Sequence, residues 1–425
     1  VRGAVRALAL VLALAPGGVA PLRAQEVEGG GGASLQTFLV TMGPGADVYE
    51  RFGHNAIWIR DTTSGLDLVY NYGTFDFDEP GFVGRFVFGR PRYWLDVGTI
   101  DGTLRLYAHR QRDVVVQELA LSPAKRAELA IRLAENILPA NRSYDYDYYR
   151  DNCSTRVRDI LDLVLGGALR STTAGVPGEG TLRFHTQRSV SNDPAMYLGI
   201  LAAFGPSVDR PLDQWGEMFL PAKVQQRVRE LWVPDGRGGE MPLVLREDTL
   251  LAVGAFAVES GRPDWSGPLF GAGVIIALAS LTGMIRGARG IPGRLVAGAW
   301  LLTSGIGGGI ILFLWFATDH RAATGNLNLL LLSPLALAVL PGIWRRGAAG
   351  RWSRAARAGY GLSLLAGGVA ALLPSLFTQQ MGEIAAIAVV SGVAALLVAS
   401  GAQPPTRASA AAASLRPGAA TNAAR

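Results

Sequence analysis

One cysteine and four histidines carry most of the nucleophilic and proton-transfer chemistry open to this chain of 425 residues. Cys153 lies in "YRDNCSTRVRDILD" and His54 in "RFGHNAIWIRD". A thiol attacks as thiolate, or with a base taking its proton at the moment of attack. Asp151 and Asn152 are helix-capping residue types, so Cys153 is predicted to start a helix. There, unpaired N–H groups and the positive end of the helix dipole favour the thiolate. Arg156 and Arg158 follow closely and add positive charge. A lone cysteine is more ordinarily an inert buried thiol, but the Asp, Asn, Ser and Thr around Cys153 speak against an apolar core position.

His54 opens a predicted strand, "HNAIWIRD". Alternation puts Ala56 and Trp58 on its face and Asn55, Ile57 and Ile59 on the other. A histidine fixed at a strand start is a rigid base for a thiol delivered by a helix end, the geometry of papain-type enzymes. Here His precedes Cys, the reverse order, as a circular permutation would produce. A third group should orient the imidazole. The next strand, "LVYNYG", offers Asn71, flanked by Tyr70 and Tyr72. Asn152, or N–H groups at the helix start, would line an oxyanion hole; Asn152 as a plain N-cap is the equal alternative. His109 and His185 sit in arginine-rich segments and are expected to be solvated. No cluster has metal-ligand spacing and no glycine-rich phosphate loop follows a strand, so neither zinc nor any other cofactor is expected.

The elements that must position these residues form an α+β pattern. "LQTFLVTM", "HNAIWIRD", "LDLVYNYGTF" and "VVVQELAL" read as strands, and "SPAKRAELAIRLAENIL" and "CSTRVRDILDLVLGG" as helices. Further helices are expected at "DPAMYLGILAAF" and "AKVQQRVRELW".

The mean hydropathy, +0.24, is high for a water-soluble protein, and the apolar residues gather at the two ends. Residues 1–24 read as a signal peptide, with Arg2 and Arg6 before a short apolar run. From Pro268 onward, five apolar segments approach spanning length: 268–285, 295–317, 326–344, 359–377 and 381–401. Arginines crowd two of the intervening loops, around Arg286–Arg294 and Arg345–Arg357, and the tail. The positive-inside rule puts these in the cytoplasm and residues 25–265 outside. The net charge of +6 is thus accounted for by orientation in a membrane, and a nucleic-acid role is not expected. Residues 266–402 form the predicted membrane bundle and 403–425 a low-complexity cytoplasmic tail. The outer loop "TDHRAATGNLN" holds Asp319, His320 and Asn326 on the same side as Cys153. It is either an interfacial polar loop or a lipid head-group site.

"FGHNAIWIRD", "YNYGTFDF", "RYWL" and "YDYDYYRDNCSTRVRD" together resemble the Lnb N-terminal periplasmic domain family, as do "WGEMFLP" and "DHRAATGNLNLLLLSPL" further on. That family is similar to permuted NlpC-type and lecithin–retinol acyltransferase-like thiol enzymes. The resemblance implies a circularly permuted papain-like thiol domain followed by an all-α bundle of five spans. It also implies a bacterial inner-membrane N-acyltransferase with Cys153 as nucleophile and His54 as base. Its partners would be a phospholipid acyl donor and a lipoprotein acceptor. Two rival readings stay open: a thiol hydrolase acting on peptidoglycan peptides or lipid esters, and a non-catalytic membrane scaffold.

Overall fold

The computed structural model describes residues 32–258, 260–344 and 351–401. The predicted signal peptide 1–24, the tail 403–425, and Arg345 and Arg346 of the arginine loop lie outside the described residues.

Strands β1 (Leu35–Met42), β2 (His54–Asp61), β3 (Asp67–Thr74), β4 (Arg92–Gly98), β5 (Val114–Leu119), β6 (Ser143–Asp145) and β11 (Val244–Leu251) form one antiparallel sheet in the order β11-β5-β1-β2-β3-β4-β6. The strand over His54–Asp61 has the predicted bounds. Alternation sorts its residues onto two faces. Ile57 and Ile59 join Leu39, Tyr70, Tyr72 and Leu95 beneath α3 (Pro123–Asn136) and α4 (Cys153–Val164). Ala56 and Trp58 join Phe38, Val40 and Val69 beneath Ile100 and Tyr107 of α2 (Ile100–His109). Helix α4 buries Val157, Ile160, Leu161 and Val164, the three-and-four spacing of a one-sided helix. Each such aliphatic side chain contributes about 1.5–3 kcal/mol by leaving water, so this stripe fixes the height of Cys153 against the sheet.

The short helix α1 (Phe82–Val87) links β3 to β4. Beyond α4 come α5 (Ala168–Thr173), α6 (Leu182–Ser189), α7 (Pro194–Ala203), α8 (Gln214–Glu217) and α9 (Pro221–Glu230). Two hairpins, β7 (Pro177–Thr181) with β8 (Pro211–Asp213) and β9 (Trp232–Pro234) with β10 (Glu240–Pro242), complete this part.

Among the described residues, four helical stretches are long and apolar enough to cross a membrane: Ser266–Met284, Ala288–Phe316, Ser353–Leu372 and Gly382–Ser400. They contain α10 (Ser266–Leu281), α11 (Ile291–Phe316), most of α14 (Arg351–Leu372) and α15 (Gly382–Ser400). The fifth expected span, 326–344, is not a continuous helix. It breaks into α12 (Asn328–Leu331), α13 (Leu335–Val339) and a 3-10 turn at Leu340–Ile343. Pro334 and Pro341 explain the break, since each lacks an N–H and disfavours helix at the residue before it. The broken segment still runs the length of α15. Asn326 meets Gln379 just ahead of α15, and Gly342 lies against Ala399 at its far end. Small residues allow the close packing: Gly308 leaves no room for a Cβ against Leu332 and Pro334, and Gly273 lies against Ile387.

The two parts are joined by specific contacts. The N–H of Asp319 donates to Phe88 O at 2.9 Å, and Arg90 pairs with Asp319. Gly205 donates to Ala322 O at 2.8 Å. Tyr197 of α7 donates to Glu383 at the start of α15, at 2.9 Å.

Candidate active site

Helix α4 begins with a complete capping box. Asn152 Oδ1 accepts from the N–H groups of Ser154 and Thr155, each at 2.9 Å, and Thr155 Oγ1 accepts from Asn152 N–H at 2.8 Å. The Asn152 amide donates to Tyr148 O at 2.8 Å and to Phe219 O at 3.0 Å. Of the two readings open for Asn152, the N-cap is the one observed: it is buried, with its donors and acceptor all engaged in holding the helix start, which leaves none for substrate. The N–H of Cys153 itself, in the first turn, has no hydrogen-bond partner among the described residues.

The β2–β3 ladder covers only Ile57–Arg60 of β2. Past its end, Asn55 donates its backbone N–H to the sulfur of Cys153. His54, one residue earlier, makes a side-chain hydrogen bond to Asn71 of β3. The Asn71 amide donates to Val69 O at 3.2 Å, which fixes that side chain along β3. Gly73 completes the gap. A Cβ built there would lie 3.3 Å from Cys153 Cβ, and its φ of +90° is a conformation that L side chains resist. A bulge between Tyr72 and Thr74 accompanies it. The α4 start thus enters where β2 and β3 part, although strict alternation gives His54 to the opposite, α2 face of the sheet.

The charge states differ from expectation. Burial pushes the Cys153 thiol above its ordinary value, against the N–H of Asn55, the hydroxyl and N–H of Ser154, and the Arg112 guanidinium. The helix start therefore does not suffice to make a resting thiolate. Burial also lowers His54, with help from Arg112 and Arg110 and against the Asn71 hydrogen bond, to about 4. The resting pair is neutral thiol and neutral imidazole. A neutral imidazole is able to accept a proton, and no hydrogen bond joins it to the thiol.

Arg112 is the guanidinium that acts on both groups. It is buried, bonds Glu50 at 3.2 Å, donates to Gly43 O at 2.8 Å and lies over the Tyr107 ring. Its Nη2 has no partner. Sequence reading passed over Arg112 and Gly73. The αL-tolerant glycine after "YNY" was the only local signal for one, and nothing local marked the other.

The remaining expected residues separate into two groups. His320 stacks on Tyr148, ring centroids 6.2 Å apart, so the outer loop does reach the neighbourhood of α4. Arg156 holds Asp151 by two bonds of 2.6 and 2.7 Å, lies over Tyr144, and lines an open hollow of about 460 Å³ with Tyr72 and Asn136. Asn326 does not fit a substrate role. It is fully buried, donating to Ala202 O at 2.8 Å and accepting from Asn328 N–H and the Gln379 amide. His185 is likewise buried rather than solvated, with Nε2 2.9 Å from Glu217. His109 is exposed, as expected.

Residues 32–191 match the Lnb N-terminal periplasmic domain, and residues 262–401 match the Lnb transmembrane domain. No curated protein matches the chain, and no solved structure does.

Proposed function

The chain belongs to the Lnb-type family, a membrane protein with a periplasmic domain, and from that premise we propose that it is a cysteine acyltransferase of the bacterial inner membrane. Residues 25–265 are the periplasmic thiol domain and 266–402 the membrane domain, with the broken 326–344 segment as a fifth crossing. The observation that carries the reading is the Cys153 sulfur at the start of α4, bonded by Asn55 N–H, beside the His54–Asn71 pair.

The reaction runs in two halves. As Cys153 sulfur attacks an ester carbonyl of a phospholipid, His54 takes the thiol proton. The oxyanion that forms is met by the unpartnered N–H of Cys153. Collapse breaks the ester C–O bond, and imidazolium returns the proton to the leaving alkoxide. A lysophospholipid departs and a thioester remains. The N-terminal amine of a lipoprotein then attacks the thioester. His54 takes a proton from that amine and gives it to the departing thiolate, so an amide is formed and Cys153 is restored. Asn71 orients the imidazole throughout. This arrangement, with His ahead of Cys in the chain, is the one a permuted papain-like or NlpC-like site would have.

The membrane domain supports lipid substrates. Drawing a sixteen-carbon acyl chain into water costs on the order of 12 kcal/mol, and docking the thiol domain on spanning helices avoids that. Mass spectrometry of lipoprotein N-termini, from cells with and without the protein, tests the reading. N-acylation that depends on Cys153 is expected. Unchanged N-termini, with cleaved peptidoglycan peptides or free fatty acid as the product, would transfer the site to hydrolysis.

A further inference from the structure

Helix α1 and the residue after it expose apolar side chains as a continuous ridge. Val83 is 62% exposed, Phe86 41%, Val87 42% and Phe88 47%. A water-facing surface does not ordinarily gather four such side chains in six residues. The ridge is also fixed in place. Phe88 packs edge-on against Phe313 of α11, ring centroids 5.8 Å apart, and its carbonyl accepts from Asp319. Gly89, at φ +76°, lets the chain approach so closely that a Cβ would lie 2.7 Å from His320 N. Phe313 is in the last turn of α11, beside the stacked Trp315–Phe316 pair that closes that helix, and such aromatic residues gather at membrane–water interfaces.

From the ridge, aromatic rings continue inward. Phe86 meets Tyr148 at 6.4 Å and Tyr148 meets Tyr146 at 5.9 Å, centroid to centroid. Tyr146 borders Gly73 beside Cys153. We propose that α1 and Phe88 form an apolar ridge seated in the lipid leaflet beside α11, and that Tyr148 and Tyr146 continue it as the path by which a lipid acyl chain reaches Cys153. The partner is a phospholipid leaflet: apolar side chains enter its acyl region while the arginines of the same segment, Arg85 paired with Glu79, Arg90 paired with Asp319, and Arg92, stand at head-group level. The path, but not the seating, rests on the acyl-transfer reading.

Two measurements on the full chain test this. Cys153 is the only cysteine, so Val83→Cys in a Cys153→Ser background accepts a single nitroxide. In vesicles of phosphatidylethanolamine and phosphatidylglycerol, that label should collide with oxygen in preference to a water-soluble nickel chelate. A label at Asp101→Cys, on exposed α2, should show the reverse. Water-like collisions at position 83 would overturn the seating. Separately, Val83→Asp and Phe86→Ser should reduce Cys153 acylation from a long-chain phospholipid relative to a short-chain soluble ester by about tenfold or more, as expected for loss of one seated apolar side chain. Equal loss on both donors would overturn the path. If neither donor acylates the unmodified protein, acyl transfer fails and the path with it, while the collision measurement still decides the seating.

Discussion

The backbone N–H of Asn55 is donated to the sulfur of Cys153. That bond ties the start of α4 to the residue after His54, so the thiol and the imidazole arise from touching segments almost a hundred positions apart in the chain. Cys153→Ala and His54→Ala should each abolish acyl transfer and leave the protein inserted and folded. The double variant should be no worse than either single one, because the two act as a unit. Turnover counted on purified protein in vesicles checks this; near-normal turnover of Cys153→Ala would remove the thiol mechanism.

The pH dependence follows from His54 being held at about 4. Catalysis needs neutral imidazole, so the acid limb of kcat/KM should fall near that value and not near 6.5. Arg112→Gln removes a positive charge that lowers His54, so its acid limb should move upward. The same change raises the thiol further, since Arg112 also favours thiolate. A limb unmoved by Arg112→Gln would mean that the guanidinium does not act on the imidazole.

Asn71→Ala should leave the nucleophile in place but free the ring to turn, lowering kcat by up to about 10²-fold. Asn71→Asp keeps an acceptor and adds a negative charge, so activity should recover in part and the acid limb should rise. Equal loss in both variants would assign Asn71 a packing role only.

Gly73→Ala places a methyl 3.3 Å from Cys153 Cβ at φ +90°. Strain at such a position costs about 1–2 kcal/mol, so Tm should fall modestly while the thiol is displaced from Asn55. Labelling of Cys153 by a small alkylating reagent should speed up as transfer is lost. Wild-type turnover in this variant would contradict the tight fit between β3 and α4.

Much of the site was legible because its signals are local. Alternation placed β2 on His54–Asp61, and the Asp-Asn pair before Cys153 marked a helix start that the capping box bears out. Gly73 and Arg112 were not legible, because their proximity to Cys153 follows from strand register and from a turn that brings β5 back beside β1. Asn326 and His185 look polar and exposed in one dimension. Their burial depends on partners, Gln379 and Glu217, that lie 53 and 32 positions away. The break at Pro334 and Pro341 was written in the sequence, but the apolar run around them outweighs two prolines in a hydropathy reading.

A reporter enzyme active only outside the cytoplasm, fused after Gly401, should be silent if the broken segment 326–344 crosses the bilayer together with the four long helices. Activity there would mean an even number of crossings and a re-entrant rather than spanning segment.

The central claim is a thioester on Cys153, and acyl trapping tests it most directly. Full-length protein in vesicles is given phospholipid with a labelled acyl chain and no lipoprotein acceptor. Label should accumulate on the protein, map to the peptide containing Cys153, and leave on treatment with neutral hydroxylamine. It should be absent from Cys153→Ser, or held there as a hydroxylamine-resistant ester. Label that stays off the protein while free fatty acid or cleaved peptide accumulates would contradict the account.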